Sequence, residues 1–219
     1  MMNIFELSAI SSLVIGVPAV IGLVKINRLE KSFQPFIGLL WLGLINELIS
    51  IHYAYQYRNN MANYNVYILA EFMLILSLFK SWKLFTNNKL YISLQIVLVI
   101  GWYIESFYLN TIFSLNRYCL IFFSFIIVVC AIFQVAYMIF SHTNKLLQHS
   151  KFIICMAFII FFTFTIIAES IGLYGLQLSQ DFRIKVQKLL IFVNLFTNLL
   201  YILAVLWMPT RPRYLMQLQ

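Results

Sequence analysis

Long apolar stretches alternate along the chain with short polar segments. A helix needs about 20 mostly apolar residues to cross the hydrocarbon layer of a membrane, and seven stretches reach that length. The predicted spans cover residues 7–25, 35–56, 62–80, 90–109, 118–140, 152–174 and 188–208. The pattern therefore predicts an all-α chain, a polytopic transmembrane helix bundle of seven spans that forms one domain over residues 1–219.

Two prolines bear on how these spans are built. Pro18 lies inside the first span, where its ring removes a helical hydrogen bond, so we expect a kink there. Membrane helices tolerate such kinks when neighbouring groups satisfy the freed carbonyl. Pro35 fits the first turn of the second span, because an N–H group at that position has no helical partner anyway.

Composition agrees with a membrane protein, since 63% of the residues are hydrophobic and 10% are charged. A soluble domain carries about 25% charged residues, so we expect this chain to pack against the lipid bilayer of a cell membrane. The net charge of +8 raises the alternative of a nucleic-acid partner. The basic residues lie singly or in small groups between apolar stretches, which is typical of membrane-flanking loops, and we predict no nucleic-acid partner.

The basic residues predict an orientation. The odd-numbered loops and the tail hold ten of them: Lys25, Arg28, Lys31, Lys80, Lys83, Lys89, Lys145, Lys151, Arg211 and Arg213. The even-numbered loops and nearby helix ends hold five: Arg58, Arg117, Arg183, Lys185 and Lys188. Because Lys and Arg accumulate in cytoplasmic loops, this distribution predicts an amino terminus outside and a carboxyl terminus in the cytoplasm.

Four of the seven acidic residues lie inside predicted spans, namely Glu47, Glu71, Glu105 and Glu169. A carboxylate at the bilayer centre costs from about 2.5 kcal/mol upward unless it is paired, protonated or facing water, so it indicates a functional site. At 1.5 Å per residue, Glu47 and Glu71 fall near the predicted midplane, and the other two lie on the order of 8–9 Å toward the outside.

Other polar side chains share helix faces with these glutamates. One face of the seventh span carries Asn194, Thr197, Asn198 and Tyr201. A stripe of the third span carries Tyr64, Tyr67 and Glu71. Together these faces predict a polar pocket open to the outside. Its candidate ligand-binding residues are Glu47, Glu71, Glu105, Glu169, Asn194, Asn198 and Tyr67.

A structural interpretation stands beside the functional one. Each glutamate could instead be a protonated or hydrogen-bonded pin between helices, and Asn194 and Asn198 could supply interhelical hydrogen bonds. For Glu47 and Glu71 both interpretations stay open. Glu105 and Glu169 lie nearer the predicted interface, where a structural or simply hydrated carboxylate is the better fit.

The sequence contains no motif that indicates catalysis or cofactor binding. The catalytic residues are therefore unknown, and a non-enzymatic function is favoured. Of the three histidines only His52 lies near the glutamates, and the three cysteines have no CxxC spacing, so we predict no metal site and no cofactor. A retinal-type cofactor needs a lysine deep in a helix, whereas Lys185 and Lys188 lie at the mouth of the seventh span.

A faint internal repeat relates the second and sixth spans. Residues 45–51 read Ile-Asn-Glu-Leu-Ile-Ser-Ile, and residues 167–173 read Ile-Ala-Glu-Ser-Ile-Gly-Leu. Seven spans would then form two parallel three-helix units joined by the fourth helix, as in some small transporters. Three matched positions in an isoleucine-rich chain also arise by chance.

Two segments carry a resemblance. Residues 63–72, Asn-Tyr-Asn-Val-Tyr-Ile-Leu-Ala-Glu-Phe, and 194–201, Asn-Leu-Phe-Thr-Asn-Leu-Leu-Tyr, resemble small seven-span bacterial integral membrane proteins of unassigned function. The resemblance implies that the two segments belong together and that the protein lies in a bacterial inner membrane. It implies no activity. Some similar segments are joined to signalling domains, and a sensory role here would need a separate partner protein.

The leading hypothesis is a membrane protein that binds a small polar ligand or cation in an outward-facing pocket, as a sensor subunit or small transporter. One alternative is a structural or effector subunit of a larger membrane complex. Another is an intramembrane lipid-modifying enzyme with paired carboxylates as acid and base. The basic loop over residues 141–151 could contact anionic lipid or a cytoplasmic partner, although an ordinary cytoplasmic loop has the same composition.

Overall fold

The computed structural model describes residues 4–57, 59–141, 149–173 and 179–210. Helix accounts for 85% of these residues, and no β-strand occurs among them. They form the α-helices α1 Ile4–Leu13, α2 Gly16–Lys25, α3 Gln34–Tyr57, α4 Met61–Ser81, α5 Asn88–Ile104, α6 Arg117–Ser141, α7 Ser150–Leu173 and α8 Gln180–Leu206. A 3₁₀ turn over Lys31–Phe33 precedes α3, and a π-helical turn over Glu105–Leu109 follows α5.

Seven helical stretches are long and apolar enough to cross a membrane: Glu6–Lys25, Lys31–Tyr57, Met61–Ser81, Asn88–Leu109, Arg117–Phe140, Ser150–Leu173 and Gln180–Leu206. This confirms the prediction of an all-helical chain with seven membrane-length helices. The last helix begins at Gln180, before the apolar part that begins near residue 188. The Ser179 hydroxyl accepts a hydrogen bond from Phe182 N at 3.3 Å and caps this polar first turn.

The first predicted span is two helices, interrupted at Val14 and Ile15. Pro18 has no N–H group to donate to the Val14 carbonyl. Instead Val17 N donates to Val14 O at 3.0 Å, and the α-helical pattern resumes with Ala19 N donating to Ile15 O at 3.2 Å. The distortion expected from Pro18 therefore lies one turn before the proline. Pro35 lies in the first turn of α3, as expected.

The helices form a ring of six columns, in which α1 and α2 together make one column and α3, α4, α6, α7 and α8 make one each. Helix α5 lies outside this ring. The column made of α1 and α2 packs against α3 on one side and α8 on the other. The remaining neighbours follow in the order α3, α4, α6, α7 and α8, while α5 packs against α4 and α6. Only 17% of the most apolar stretch of α5 is buried, compared with 39% for the stretches of α3, α4, α7 and α8.

An aromatic core fills the half of the ring where α4 ends. Phe72 of α4 contacts Phe123 of α6 and Phe162 of α7, with ring centroids 4.9 Å and 5.6 Å apart. Phe158 of α7 continues this layer toward Phe79, at 6.1 Å. Each such pair contributes about 0.5–1.5 kcal/mol beyond the burial of its area. The half of the ring where α4 begins is therefore left for the polar side chains.

The turn after α2 is tied to the end of α8. Lys25 Nζ donates to the carbonyl oxygens of Val205 and Leu206 at 3.5 Å and 3.4 Å. An isolated antiparallel bridge joins Leu29 to Thr210 just beyond these helices. A lysine at the carboxyl end of a helix satisfies carbonyl groups that have no partner within the helix. These contacts close the ring between its first and last columns.

Several residues used in the sequence analysis lie outside the described residues. They are Arg58, Lys145, Arg211 and Arg213 of the orientation argument, and most of the basic loop over residues 141–151.

Candidate functional site: a polar cluster inside the ring

Glu47 of α3 and Glu71 of α4 approach each other inside the ring. Both side chains are partly buried, and their carboxyl groups are close enough to interact electrostatically. Neither forms an ion pair with any residue in the described part of the chain. Two partly buried carboxyl groups therefore lie among apolar helices with no basic partner in the described residues, which is costly in a membrane unless something neutralises them.

A stripe of α4 surrounds Glu71. The Tyr67 hydroxyl, one turn earlier, donates a hydrogen bond to Glu71 Oε1 at 2.7 Å. The Tyr64 ring stacks on the Tyr67 ring, with centroids 6.1 Å apart and planes inclined by 26°. Gly43 of α3 makes room for Ile15 beside this stripe, since a Cβ atom there would lie 2.6 Å from Ile15 Cδ1, whereas it would lie at an ordinary contact distance of 3.8 Å from the Tyr67 hydroxyl oxygen. The missing side chain lets the helices approach closely.

Polar side chains of α8 and α1 lie beside Glu47. Asn194 Nδ2 donates to Ser12 Oγ at 3.2 Å, and the Ser12 side chain lies near the Glu47 carboxyl group. Asn198 Nδ2 donates to the Ser11 carbonyl oxygen at 3.2 Å and approaches Asn194 Oδ1 at 3.5 Å. Glu47, Glu71, Tyr67, Ser12, Asn194 and Asn198 together form what we call the polar cluster.

Thr197 adds an unused hydroxyl beside the polar cluster. It lies on the same face of α8 as Asn194 and Asn198. Its side chain is 2% exposed, and its hydroxyl has no hydrogen-bond partner among the described residues. Buried hydroxyls are nearly always paired. The face of α8 that carries the two asparagines therefore has a hydroxyl that no described residue hydrogen bonds.

Asn63 joins α3 to α4 beside the polar cluster. Its Nδ2 donates to Asn46 Oδ1 at 2.8 Å and to Ser50 Oγ at 3.0 Å. The sequence analysis did not single out Asn63 as a site residue, nor Ser11 and Ser12. A signal for Asn63 existed, since it precedes Tyr67 and Glu71 at intervals of four residues and so shares their face.

Glu105 lies outside the polar cluster and caps α6. Its Oε1 accepts a hydrogen bond from Tyr118 N at 3.0 Å, and its Oε2 accepts one from Cys119 N at 2.6 Å. Only 1% of Glu105 is exposed. A carboxylate is favourable at a helix amino terminus, where N–H groups lack partners within the helix. The π-helical turn that begins at Glu105 places this carboxylate under the first turn of α6.

Glu169 of α7 pairs with Arg117 at the start of α6. Arg117 Nε lies 3.8 Å from Glu169 Oε2, and the two side chains are 39% and 21% exposed. The Arg117 guanidinium also covers Gly172, where a Cβ atom would collide with it. Glu169 interacts electrostatically with Tyr64. This ion pair therefore lies at the margin of the polar cluster, beyond the tyrosine stack.

The donor set limits the chemistry of the polar cluster. In the described ranges, no three His, Cys, Asp or Glu side chains come together in a group that could hold a metal ion. Two carboxyl groups with hydroxyl and amide neighbours can exchange a proton, bind one small cation, or hydrogen bond a polar molecule.

The three cysteines lie outside the polar cluster. They are buried free thiols, namely Cys119, Cys130 and Cys155, and Glu105 is the acidic neighbour of Cys119.

The two segments that carried the sequence resemblance both contribute to the polar cluster. Residues 63–72 supply Tyr67 and Glu71, and residues 194–201 supply Asn194 and Asn198. Tyr201, at the end of the second segment, interacts electrostatically with Glu71. Comparisons of the chain with protein-family models, with curated proteins and with solved structures found no match.

Proposed function

We propose that this chain is a multi-pass protein of the cell membrane that binds a small polar ligand, a cation or a proton at Glu47 and Glu71, as a sensor subunit or small transporter. Its amino terminus would lie outside and its carboxyl terminus in the cytoplasm. Seven apolar helices of membrane length and the concentration of basic residues in alternate loops support this topology. The resemblance described above favours a bacterial inner membrane.

One observation carries the proposal: Glu47 and Glu71 are both partly buried among apolar helices, and neither has a basic partner among the described residues. Carboxylates in a membrane interior are costly unless they are paired, protonated or in contact with water. A positively charged or proton-donating species that exchanges at this position would supply the missing compensation. Such exchange is what a transporter or a ligand sensor requires.

The hydrogen bonds argue against a purely structural role for Glu71. The bond that Tyr67 donates to it lies within α4 and joins no two helices. Bonds between helices come instead from Asn63, which links α4 to α3, and from Asn198, which links α8 to α1. Glu47 differs, because its carboxyl group lies near Ser12 of the neighbouring helix α1. We therefore expect Glu71 to matter more for ligand binding and Glu47 to matter for both binding and packing.

Native mass spectrometry of the purified protein in detergent tests the proposal. We expect the wild type to retain a small molecule or ion that Glu71→Gln loses. Glu30→Gln is the matched control, since it removes the same charge at an exposed position after α2. Infrared difference spectra after a pH step cover the case of a proton, because a carboxyl C=O band should appear in the wild type and disappear in Glu71→Gln.

The opposite result would support a different function. A wild type without a bound ligand, with infrared spectra unchanged by Glu47→Gln and Glu71→Gln, would refute ligand binding at these carboxylates. Another chain retained in the same preparations would then favour a structural or effector subunit of a membrane complex.

A further inference from the structure

A groove runs between α4 and α5 on the outer side of the ring. It exists because α5 lies outside the ring and packs against α4 over only part of its length. Its volume is about 500 Å³, which is within the usual range for ligand sites, about 300–1,000 Å³. Its lining residues are Met73, Leu74, Ser77, Tyr91, Ile92, Gln95, Ile96, Val99 and Ile100. We call it the α4–α5 groove.

Polar side chains lie at one end of the α4–α5 groove. The hydroxyls of Ser77 and Tyr91 are 3.0 Å apart and hydrogen bonded. Gln95 Nε2 donates to the Tyr91 hydroxyl at 3.2 Å and to the Met73 carbonyl oxygen at 3.3 Å. Gln95 Oε1 is buried and has no partner among the described residues. The bonds of Ser77 and Gln95 join α4 to α5, and Gln95 Oε1 remains able to accept a further hydrogen bond.

The same end of the groove is basic. Lys80 Nζ lies 4.2 Å from the centre of the Tyr91 ring, a cation–π contact that holds the ammonium group at the groove. Lys83, in the connection between α4 and α5, and Lys89, in the first turn of α5, are both exposed. Residues 72–104 contain no Asp or Glu. The groove therefore presents positive charge at one end, and the one acidic residue in its two helices, Glu71 of α4, precedes the first lining residue, Met73.

The dimensions of the groove match one leaflet of a bilayer. From Tyr91 to Ile100, at about 1.5 Å per residue, its apolar wall extends on the order of 14 Å. The hydrocarbon core of a bilayer is about 30 Å thick, so one leaflet contributes about half of that. The basic end belongs to the connection that the charge distribution assigns to the cytoplasmic side.

We propose that the α4–α5 groove is a specific binding site for an anionic phospholipid. One acyl chain lies along the apolar wall, the phosphate group lies beside Lys80, and the Ser77, Tyr91 and Gln95 side chains hydrogen bond the polar groups just below the phosphate. Charge complementarity selects this occupant, because basic pockets between helices on the cytoplasmic side favour anionic headgroups. The inference rests on the proposed membrane location but not on ligand binding at Glu47 and Glu71.

A second groove shows what distinguishes the first. It lies between α7 and α8, has a volume of about 280 Å³, and is lined by apolar residues and Lys185. It has one charged side chain and no hydroxyl or amide side chain among its lining residues. Any apolar groove in a membrane meets lipid chains. The α4–α5 groove differs in having hydroxyl and amide side chains in its lining, with Lys80 held beside Tyr91 at the same end.

The test is lipid retention by the purified full-length chain. The protein is mixed in detergent with equal amounts of phosphatidylglycerol and phosphatidylcholine that carry the same acyl chains, and bound lipids are counted by native mass spectrometry. We expect the wild type to retain phosphatidylglycerol preferentially. Lys80→Gln should lower that affinity about fivefold, the contribution of one lysine beside an anionic headgroup.

Two further variants complete the design. Lys31→Gln removes the same charge from an exposed residue that the charge distribution places on the same side, and it should leave the preference unchanged. Ile96→Trp fills the apolar wall at a side chain that is 52% exposed, so it should displace the lipid without changing any charge. Equal retention of the two lipids by the wild type, or an equal effect of Lys31→Gln and Lys80→Gln, would overturn the proposal. A dimer that Ile96→Trp abolishes would also overturn it, since the groove would then hold a second copy of this chain.

Discussion

Replacing Glu105 with glutamine removes one of the two acceptors beneath the first turn of α6. In the native protein the two carboxylate oxygens accept hydrogen bonds from Tyr118 N and Cys119 N at 3.0 Å and 2.6 Å. The amide oxygen of glutamine can accept one of these bonds. Its NH₂ group would face the other backbone N–H, so that buried donor loses its partner. The helix end also loses a negative charge.

The size of the effect follows from these contacts. A hydrogen bond to a charged group contributes about 1.5–3 kcal/mol, and a charge at a partly buried helix end contributes up to about 2 kcal/mol. Because the two contributions overlap, we expect Glu105→Gln to lower the free energy of unfolding by roughly 2–4 kcal/mol. Glu169→Gln breaks a pair that is 3.8 Å long and partly exposed, which is expected to cost about 0–1 kcal/mol.

Unfolding of the purified proteins by increasing SDS in mixed micelles, followed by tryptophan fluorescence, measures both free energies. Trp102 is a useful reporter, because its Nε1 donates to the Asn65 carbonyl oxygen at 2.8 Å. The reasoning fails if Glu105→Gln unfolds within about 0.5 kcal/mol of the wild type, the range of an ordinary surface substitution. It fails equally if Glu169→Gln costs as much as Glu105→Gln.

Two further stability predictions use the same unfolding assay. Asn65 Nδ2 donates to the carbonyl oxygens of Ile112 and Ser114 at 2.9 Å and 2.7 Å, so Asn65→Asp should cost roughly 2–4 kcal/mol by replacing a donor with an acceptor; a native-like midpoint would contradict this. A Cβ atom at Gly22 would lie 2.6 Å from Ile37 Cδ1, so Gly22→Val should separate α2 from α3 at a cost of about 1–3 kcal/mol. Gly38→Val is the control, since its Cβ atom would lie 4.0 Å from Leu74 Cδ2, and equal losses in the two variants would show that packing at Gly22 is unimportant.

The helices could be predicted from the sequence because apolar length is a strong signal. The residues at which the helices begin and end depend on individual hydrogen-bonding groups, which a hydropathy pattern does not reveal. The cap at Ser179 extends α8 through a polar first turn, and the missing N–H of Pro18 interrupts the first span at residues 14–15. The position of α5 outside the ring could not be predicted, because surfaces that face lipid and surfaces that face other helices are both apolar.

Depth along the spans could place Glu47 and Glu71 at the same level of the membrane, and both side chains are partly buried in the structure. Their role in ligand binding stays a prediction. Ser12 could not be found, because a serine in the first span has no periodic pattern and its link to Asn194 joins the two ends of the ring. The cap formed by Glu105 depends on the π-helical turn and the path between α5 and α6, which spacing does not encode.

Closure of the ring between its first column and α8 sets the order in which the molecule can be assembled. Ser11 and its partner Ile191 are 180 residues apart, and at a synthesis rate of about 5–20 residues per second they are made roughly 10–40 s apart. Throughout that interval Ser11 and Ser12 lack the asparagines of α8 to which they are hydrogen bonded. An unfinished or damaged chain therefore differs from a finished one by unpaired polar groups in an apolar setting, a feature by which quality-control proteases and chaperones can tell the two apart.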